Sequence, residues 1–155
     1  MSLTIREATL DDIDLLMAWR MTVLREVFSV PDHEPLDKLE QENRRYYRTA
    51  IKTGTHIACF TYDHDKVVGC GGVCLYRELP SPDNPTGQCA YLMNIYTAPP
   101  FRRRGIGQKT VQWLAEKARQ RNSSKIYLET SVAGKKLYRR LGFVPMPDMM
   151  KWAAE

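Results

Sequence analysis

The chain predicts a single mixed α/β (α+β) domain over residues 1–155, with elements in the order β-α-α-β-β-β-α-β-α-β. Three observations carry this. A length of 155 residues suits one domain with one core. Short runs of alternating apolar residues are interleaved with longer runs at helical spacing. The unit formed by residues 89–97, an amphipathic helix and residues 126–130 has the make-up of a right-handed parallel crossover, whereas the earlier strands fit an antiparallel arrangement.

The elements follow in order. Residues 3–6 alternate as an edge-type strand. Thr9 fits a helix N-cap, with Asp11 and Asp12 in the first turn. Ile13, Leu16, Met17, Leu24, Val27 and Phe28 then recur at helical spacing. Pro31 and Pro35 punctuate a loop, and a second helix covers residues 36–52 and stops at Gly54. Residues 56–62 and 67–76 read as a hairpin around the polar turn at Asp63, His64, Asp65 and Lys66. Gly71 and Gly72 within it point to a bulge or a close backbone approach. Residues 79–87 form a proline-rich loop, and residues 89–97 a strand that Pro99 and Pro100 end. A helix opens near Gly105, with Ile106, Val111, Leu114 and Ala118 on its inward stripe. Residues 126–130 alternate as a strand, residues 133–141 form a short helix closed by Gly142, and a last strand is expected within residues 143–152.

Composition excludes some functions and leaves others open. No apolar run is long enough to cross a bilayer, and the N-terminus shows no basic segment followed by an apolar stretch, so a cytoplasmic location and no membrane partner are expected. Cys59, Cys70, Cys74 and Cys89 form no CxxC pair and match no ligand spacing with His33, His56 or His64, so buried free thiols and no metal are expected. The net charge of +5 and pI near 9.1 fit a nucleic-acid partner or a polyanionic small molecule alike. No recognised nucleic-acid motif is present.

The most informative stretch runs from Asn94, Ile95, Tyr96 and Thr97 through Pro99 to Arg102, Arg103, Arg104, Gly105, Ile106, Gly107 and Gln108. A strand ends, and a basic, glycine-containing turn leads straight into an amphipathic helix. The first N–H groups of a helix lack intrahelical partners, and the helix dipole favours an anion in front of them. Gly105 and Gly107 keep side chains out of the way of a phosphate, and the arginines add long-range attraction. A Walker A loop does not fit, because Gln108 interrupts its Gly-Lys-Thr order. On these residues alone, an anion cradle and a solvated, capped loop are both open.

Pro99, Arg102, Gly105 and Gly107 together resemble the Pro-x-x-Arg-x-x-Gly-x-Gly motif of the GNAT superfamily of N-acetyltransferases. Leu137, Tyr138, Gly142 and Phe143 resemble its later Leu-Tyr-x-x-x-Gly-Phe signature. Ile5 through Asp12 resemble its opening, so the resemblance covers essentially the whole chain. It implies a GNAT-like fold with two parallel strands that splay apart, and acetyl-CoA (or CoA) as acyl-donor substrate. The pyrophosphate would sit on backbone N–H groups from Arg103 to Gln108, with Arg102 in the motif. The pantetheine would pair with backbone at Ile95, Tyr96 and Thr97, a backbone N–H near Ile95 would hold the thioester oxygen, and Ser131 would stand where relatives carry a pantetheine-binding asparagine. Tyr138 matches the position of an acid that protonates the leaving thiolate; packing as a core aromatic is its bland alternative. Asn94 occupies the strand where relatives often carry a glutamate base. It can orient an amine or a water but cannot take a proton, which leaves Glu129, Glu26 or water as base.

The resemblance implies that the first two helices and their loop choose the acceptor, a small-molecule amine or a protein amino group. Asp32, His33 and Glu34 in the loop can meet a cationic amine. Arg44, Arg45 and Arg48, with Tyr46 and Tyr47, either recognise a carboxylate or form a solvated face. A non-catalytic acyl-CoA-binding or sensing module is the alternative function, and an exposed last strand would support a homodimer.

Overall fold

The structure, a computed structural model, describes residues 1–154. Five strands form one sheet in the order β1-β2-β3-β4-β5. β1 (Leu3–Glu7) and the hairpin of β2 (His56–Asp63) and β3 (Lys66–Arg77) lead to β4 (Gln88–Thr97), all antiparallel in turn. β5 (Lys125–Leu128) pairs with β4 in parallel, across the connection made by the helix α3 (Ile106–Gln120). The mixed sheet and the crossover thus form as their sequence patterns require.

Local chemistry sets the helix boundaries. The Thr9 side chain accepts from the Asp11 N–H at 3.3 Å, and the Asp12 carboxylate accepts from the Thr9 N–H at 2.8 Å. This reciprocal cap opens a single 3-10 turn, Leu10–Asp12, that runs into α1 (Ile13–Val27). α2 (Asp37–Thr53) stops because Gly54 turns left-handed at φ 75°. The short α4 (Lys135–Arg140) is followed by Gly142 at φ 96°.

The sheet separates two apolar layers. On one face α1 and α2 bury Leu16, Met17, Val23 and Tyr47 against Ala58, Phe60 and Cys70. On the other, Val111, Leu114 and Ala118 of α3 cover Ile57, Cys59, Val73, Ala90 and Leu92. Alternation along each strand sends successive side chains to opposite layers. All four cysteines are free; Cys59, Cys70 and Cys89 are buried and Cys74 is half-buried. At the end of α1, Val27 and Phe28 continue the helical spacing but are exposed.

Two glycines explain themselves by what they touch. A Cβ on Gly71 would lie 2.8 Å from both Leu114 and Thr110 and 2.9 Å from Ile95. A Cβ on Gly72 would lie 2.6 Å from His56 Nε2. The first admits α3, and the second admits the buried His56 ring.

The last strand expected within residues 143–152 is absent: no strand follows α4 among the described residues, and the order ends β-α. Pro145 and Pro147 fall at alternate positions of that segment, where each removes a ladder donor. Val144 and Trp152 are instead 78% and 90% exposed, and a homodimer through that strand loses its basis. β5 also stops at Leu128, two residues short of the expected end, which widens the gap beside β4.

Candidate functional site

The site begins where β4 hands over to α3. A 3-10 turn at Pro99–Phe101 leads to Arg103 at φ 63° and Gly105 at φ 78°. Lys109 is the first residue of α3 whose N–H meets a helical carbonyl, that of Gly105 at 3.1 Å. The N–H groups of Arg103, Arg104, Gly105, Ile106, Gly107 and Gln108 donate to no acceptor among the described residues. Unpaired donors at a helix start, with the positive end of the dipole behind them, form an anion cradle. The space before them is open. A Cβ on Gly105 would meet nothing within 4 Å, and one on Gly107 would only graze Leu137 and Thr97 at 3.8 and 3.9 Å. Arg103, Arg104 and Gln108 are exposed beside it, while the Ile106 side chain is buried and anchors the helix.

Arg102 points elsewhere. Its Nε donates to the Thr97 carbonyl at 2.9 Å and its Nη2 to Glu26 Oε1 at 2.7 Å. Tyr96 donates its hydroxyl to the other Glu26 oxygen at 2.5 Å. Arg102 therefore fastens the turn to the ends of β4 and α1. The hydroxyl of Tyr96 first, and the Arg102 guanidinium second, hold the Glu26 carboxyl below the usual carboxylate range. Both oxygens of Glu26 are occupied by donors that favour its charged form, which makes it a poor proton acceptor.

Beyond Leu92 the parallel strands part. Leu92 faces Leu128 as the last β4–β5 pair, while β4 continues to Thr97. In the same stretch β4 carries an extra residue: Met93 faces Gly72 and Tyr96 faces Cys70, which sets Asn94 and Ile95 against Gly71 alone. Asn94 adopts φ 57° at this bulge, a conformation that asparagine tolerates better than most residues. A bulge interrupts the ladder, and here it does so on the strand whose other edge β5 has left.

The Asn94 side chain is already engaged. Its Oδ1 accepts from Arg20 Nη1 at 3.0 Å, and its Nδ2 lies 3.9 Å from Cys70 Sγ. Arg20, which no sequence motif singled out, also donates from Nε to Asn43 Oδ1 at 2.9 Å. A signal for it was present: residue 20 falls at helical spacing from Leu16, Met17 and Leu24, so a charge lies on the apolar stripe of α1.

On the α3 side of the sheet, Tyr138 is half-buried and packs in the same cluster as Ile95 and Leu128, edge-on to Phe143 at 5.8 Å between ring centroids. Its hydroxyl makes no hydrogen bond among the described residues. Burial raises its pKa above the ordinary 10, so it holds its proton at neutral pH. Ser131 is exposed, and its Oγ accepts from the Gly134 N–H at 3.3 Å, which shapes the loop before α4. Glu129 is exposed just past β5 and helps raise the pKa of Tyr91, after burial, the larger cause.

The α2 arginines form a solvated face: Arg44 pairs with Asp14 at 2.9 Å and Arg45 with Glu42 at 3.2 Å. Tyr47 is buried, and burial pushes it up to about 12. Tyr46 bonds His56 Nδ1 at 2.8 Å. Asp32, His33 and Glu34 are exposed. Among the described residues no cluster of metal-ligating side chains occurs, and no helix is long and apolar enough to cross a membrane.

Known structures share this architecture. A predicted acetyltransferase from Clostridium acetobutylicum, solved with acetyl-CoA, is 24% identical over 98% of this chain and 96% of its own, with a TM-score of 0.86. A GCN5-related N-acetyltransferase from Ralstonia eutropha JMP134 is 23% identical over 99% of this chain and 100% of its own, with a TM-score of 0.82. A glucosamine-6-phosphate N-acetyltransferase from Arabidopsis thaliana is 16% identical over 100% of both chains, with a TM-score of 0.73. At the level of sequence no curated protein matches the chain. The family model of the acetyltransferase (GNAT) family, however, matches residues 17–143, a span that holds the cradle, the bulge and Tyr138, and the chain belongs to that family.

Proposed function

We propose that the protein transfers an acetyl group from acetyl-CoA to a primary amine by direct attack. The observation that carries this reading is the run of unpaired N–H groups from Arg103 to Gln108, open to solvent and set beside the gap between β4 and β5. That cradle suits the pyrophosphate, with Arg103 and Arg104 adding attraction. The gap suits the pantetheine, whose amides would pair with backbone at Ile95, Tyr96 and Thr97 as an added strand does. Ser131 offers one further hydroxyl from the loop before α4.

The chemistry then needs few groups. The neutral amine attacks the thioester carbon, and charge growing on the carbonyl oxygen is met by a backbone N–H at the bulge, near Ile95. The C–S bond breaks, and Tyr138 gives its proton to the thiolate. The amine nitrogen loses its proton to Glu129 or to water, and Tyr138 is reprotonated from solvent. Glu26 is set aside as base because Arg102 and Tyr96 hold both its oxygens. Asn94 acts as a positioning residue through its bond to Arg20. The acceptor is a small-molecule amine or a protein amino group. The site needs no metal, nucleic acid or membrane, and the setting proposed is the cytoplasm.

Isothermal titration with acetyl-CoA, followed by thiol release in the presence of an amine panel, tests the proposal. Binding no tighter than to an unrelated basic protein rejects it. One observation favours a second reading, a non-catalytic acyl-CoA-binding module: β4 carries no acidic residue. Tight binding without thiol release on any amine would select it.

A further inference from the structure

We infer that the acceptor amine carries an acid group, a carboxylate or a phosphate, and that Arg20 recognises it. The inference rests on the acetyl-transfer reading and narrows it to a substrate class. Arg20 is half-buried, yet both of its protein partners are neutral amide oxygens, Asn43 Oδ1 at 2.9 Å and Asn94 Oδ1 at 3.0 Å. It joins no salt bridge among the described residues, and its Nη2 donates to nothing there. The two arginine-paired carboxylates of α1 serve different partners, Glu26 pairing with Arg102 and Asp14 with Arg44. A partly buried guanidinium whose partners are all neutral keeps a free Nη2 and an unneutralised charge with which to meet an anion.

The position of this charge makes the gap informative. Arg20 grips the side chain of Asn94, the left-handed residue of the bulge at which β4 and β5 part. It lies on the sheet face that α3 does not cover. Tyr91 and Tyr127 pack there as tilted rings with centroids 5.1 Å apart, and Tyr76 and Tyr127 share a hydroxyl contact. Two asparagines hold the planar fork in one orientation, and a fork so fixed suits the two oxygens of a carboxylate or phosphate. His56, in the same layer, is held at about 4 by burial first and by Arg20 second, so it is neutral and supplies no competing cation at physiological pH.

Matched amines test the inference with acetyl-CoA as donor: L-lysine against cadaverine, L-phenylalanine against phenethylamine, and glucosamine 6-phosphate against glucosamine. The acid-bearing member of at least one pair is expected to show kcat/KM higher by about 30-fold or more. The amino-acid and sugar-phosphate pairs distinguish carboxylate from phosphate. Arg20→Met is expected to raise KM for that substrate and collapse the ratio, with Arg20→Lys intermediate because it keeps the charge and loses the fork. Acetyl-CoA affinity, measured for each variant, reports whether the fold survives, and the wild-type ratio stands independently of any variant. Equal rates within every pair, a ratio unchanged in folded Arg20→Met, or acid-bearing amines that neither bind nor turn over would overturn the inference. Failure of the wild-type protein to bind acetyl-CoA would instead defeat the transfer reading beneath it.

Discussion

Arg102 and Glu26 meet at 2.7 Å and tie the turn before α3 to the end of α1. With Arg102 also on the Thr97 carbonyl, the pair sets where the cradle stands relative to β4. Glu26→Gln should therefore raise KM for acetyl-CoA severalfold and leave kcat and its pH profile near wild type. The pair is about half exposed, so the loss of stability should stay below about 1 kcal/mol. Steady-state kinetics against pH check this. A collapse of kcat with loss of the acidic limb would make Glu26 the base after all.

Tyr138→Phe keeps the ring that packs on Phe143 and removes the hydroxyl. Thermal stability should change little. If the hydroxyl protonates the thiolate, kcat should fall by about 100-fold, within the range general acids supply, with KM for acetyl-CoA nearly constant. Because burial raises the tyrosine pKa above 10, the wild-type acid stays protonated, and the rate should fall only at pH values above 10. Unchanged kcat in the variant would reduce Tyr138 to a packing residue.

Gly71 lies where α3 presses on the bulge. Gly71→Ala would place a methyl against Leu114, Thr110 and Ile95 at 2.8 to 2.9 Å. The expected cost is about 1–3 kcal/mol of stability, together with weaker acetyl-CoA binding as Ile95 shifts. Chemical denaturation and calorimetry on the same variant measure both. Weaker binding without loss of stability would contradict the packing account.

His56 should make stability pH-dependent. Its folded pKa of about 4 lies below the ordinary 6.5 because burial penalises the charged form. Between these values the unfolded chain binds the proton and the folded chain does not, so stability is lost as pH falls from about 6.5 to 4. The full effect is about 3 kcal/mol. Denaturation midpoints for wild type and His56→Gln should diverge at neutral pH and converge toward pH 4, provided the variant folds. Parallel curves would show that His56 does not titrate in this window.

What could be read in the sequence was local. Thr9, Gly54 and Gly142 end or begin helices through contacts within a few residues, and the pattern around Gly105 depends only on a strand, a turn and a helix. What could not be read depends on distant partners. Arg20 and Asn94 are 74 positions apart, and nothing beside Asn94 marks its left-handed backbone. Glu26 reads as a free acid until α1 is placed beside Arg102. The last strand differs in kind: residues 143–152 suggest one, but Pro145 and Pro147 lack the N–H donors that a ladder needs.

The central claim is that backbone amides from Arg103 to Gln108 hold the coenzyme diphosphate. Amide ¹H–¹⁵N spectra recorded as coenzyme A is titrated into the protein address those groups one by one. The account predicts that the resonances of Arg103, Arg104, Gly105, Ile106, Gly107 and Gln108 move most and saturate together. Saturable binding that leaves these amides in place while others shift would contradict it.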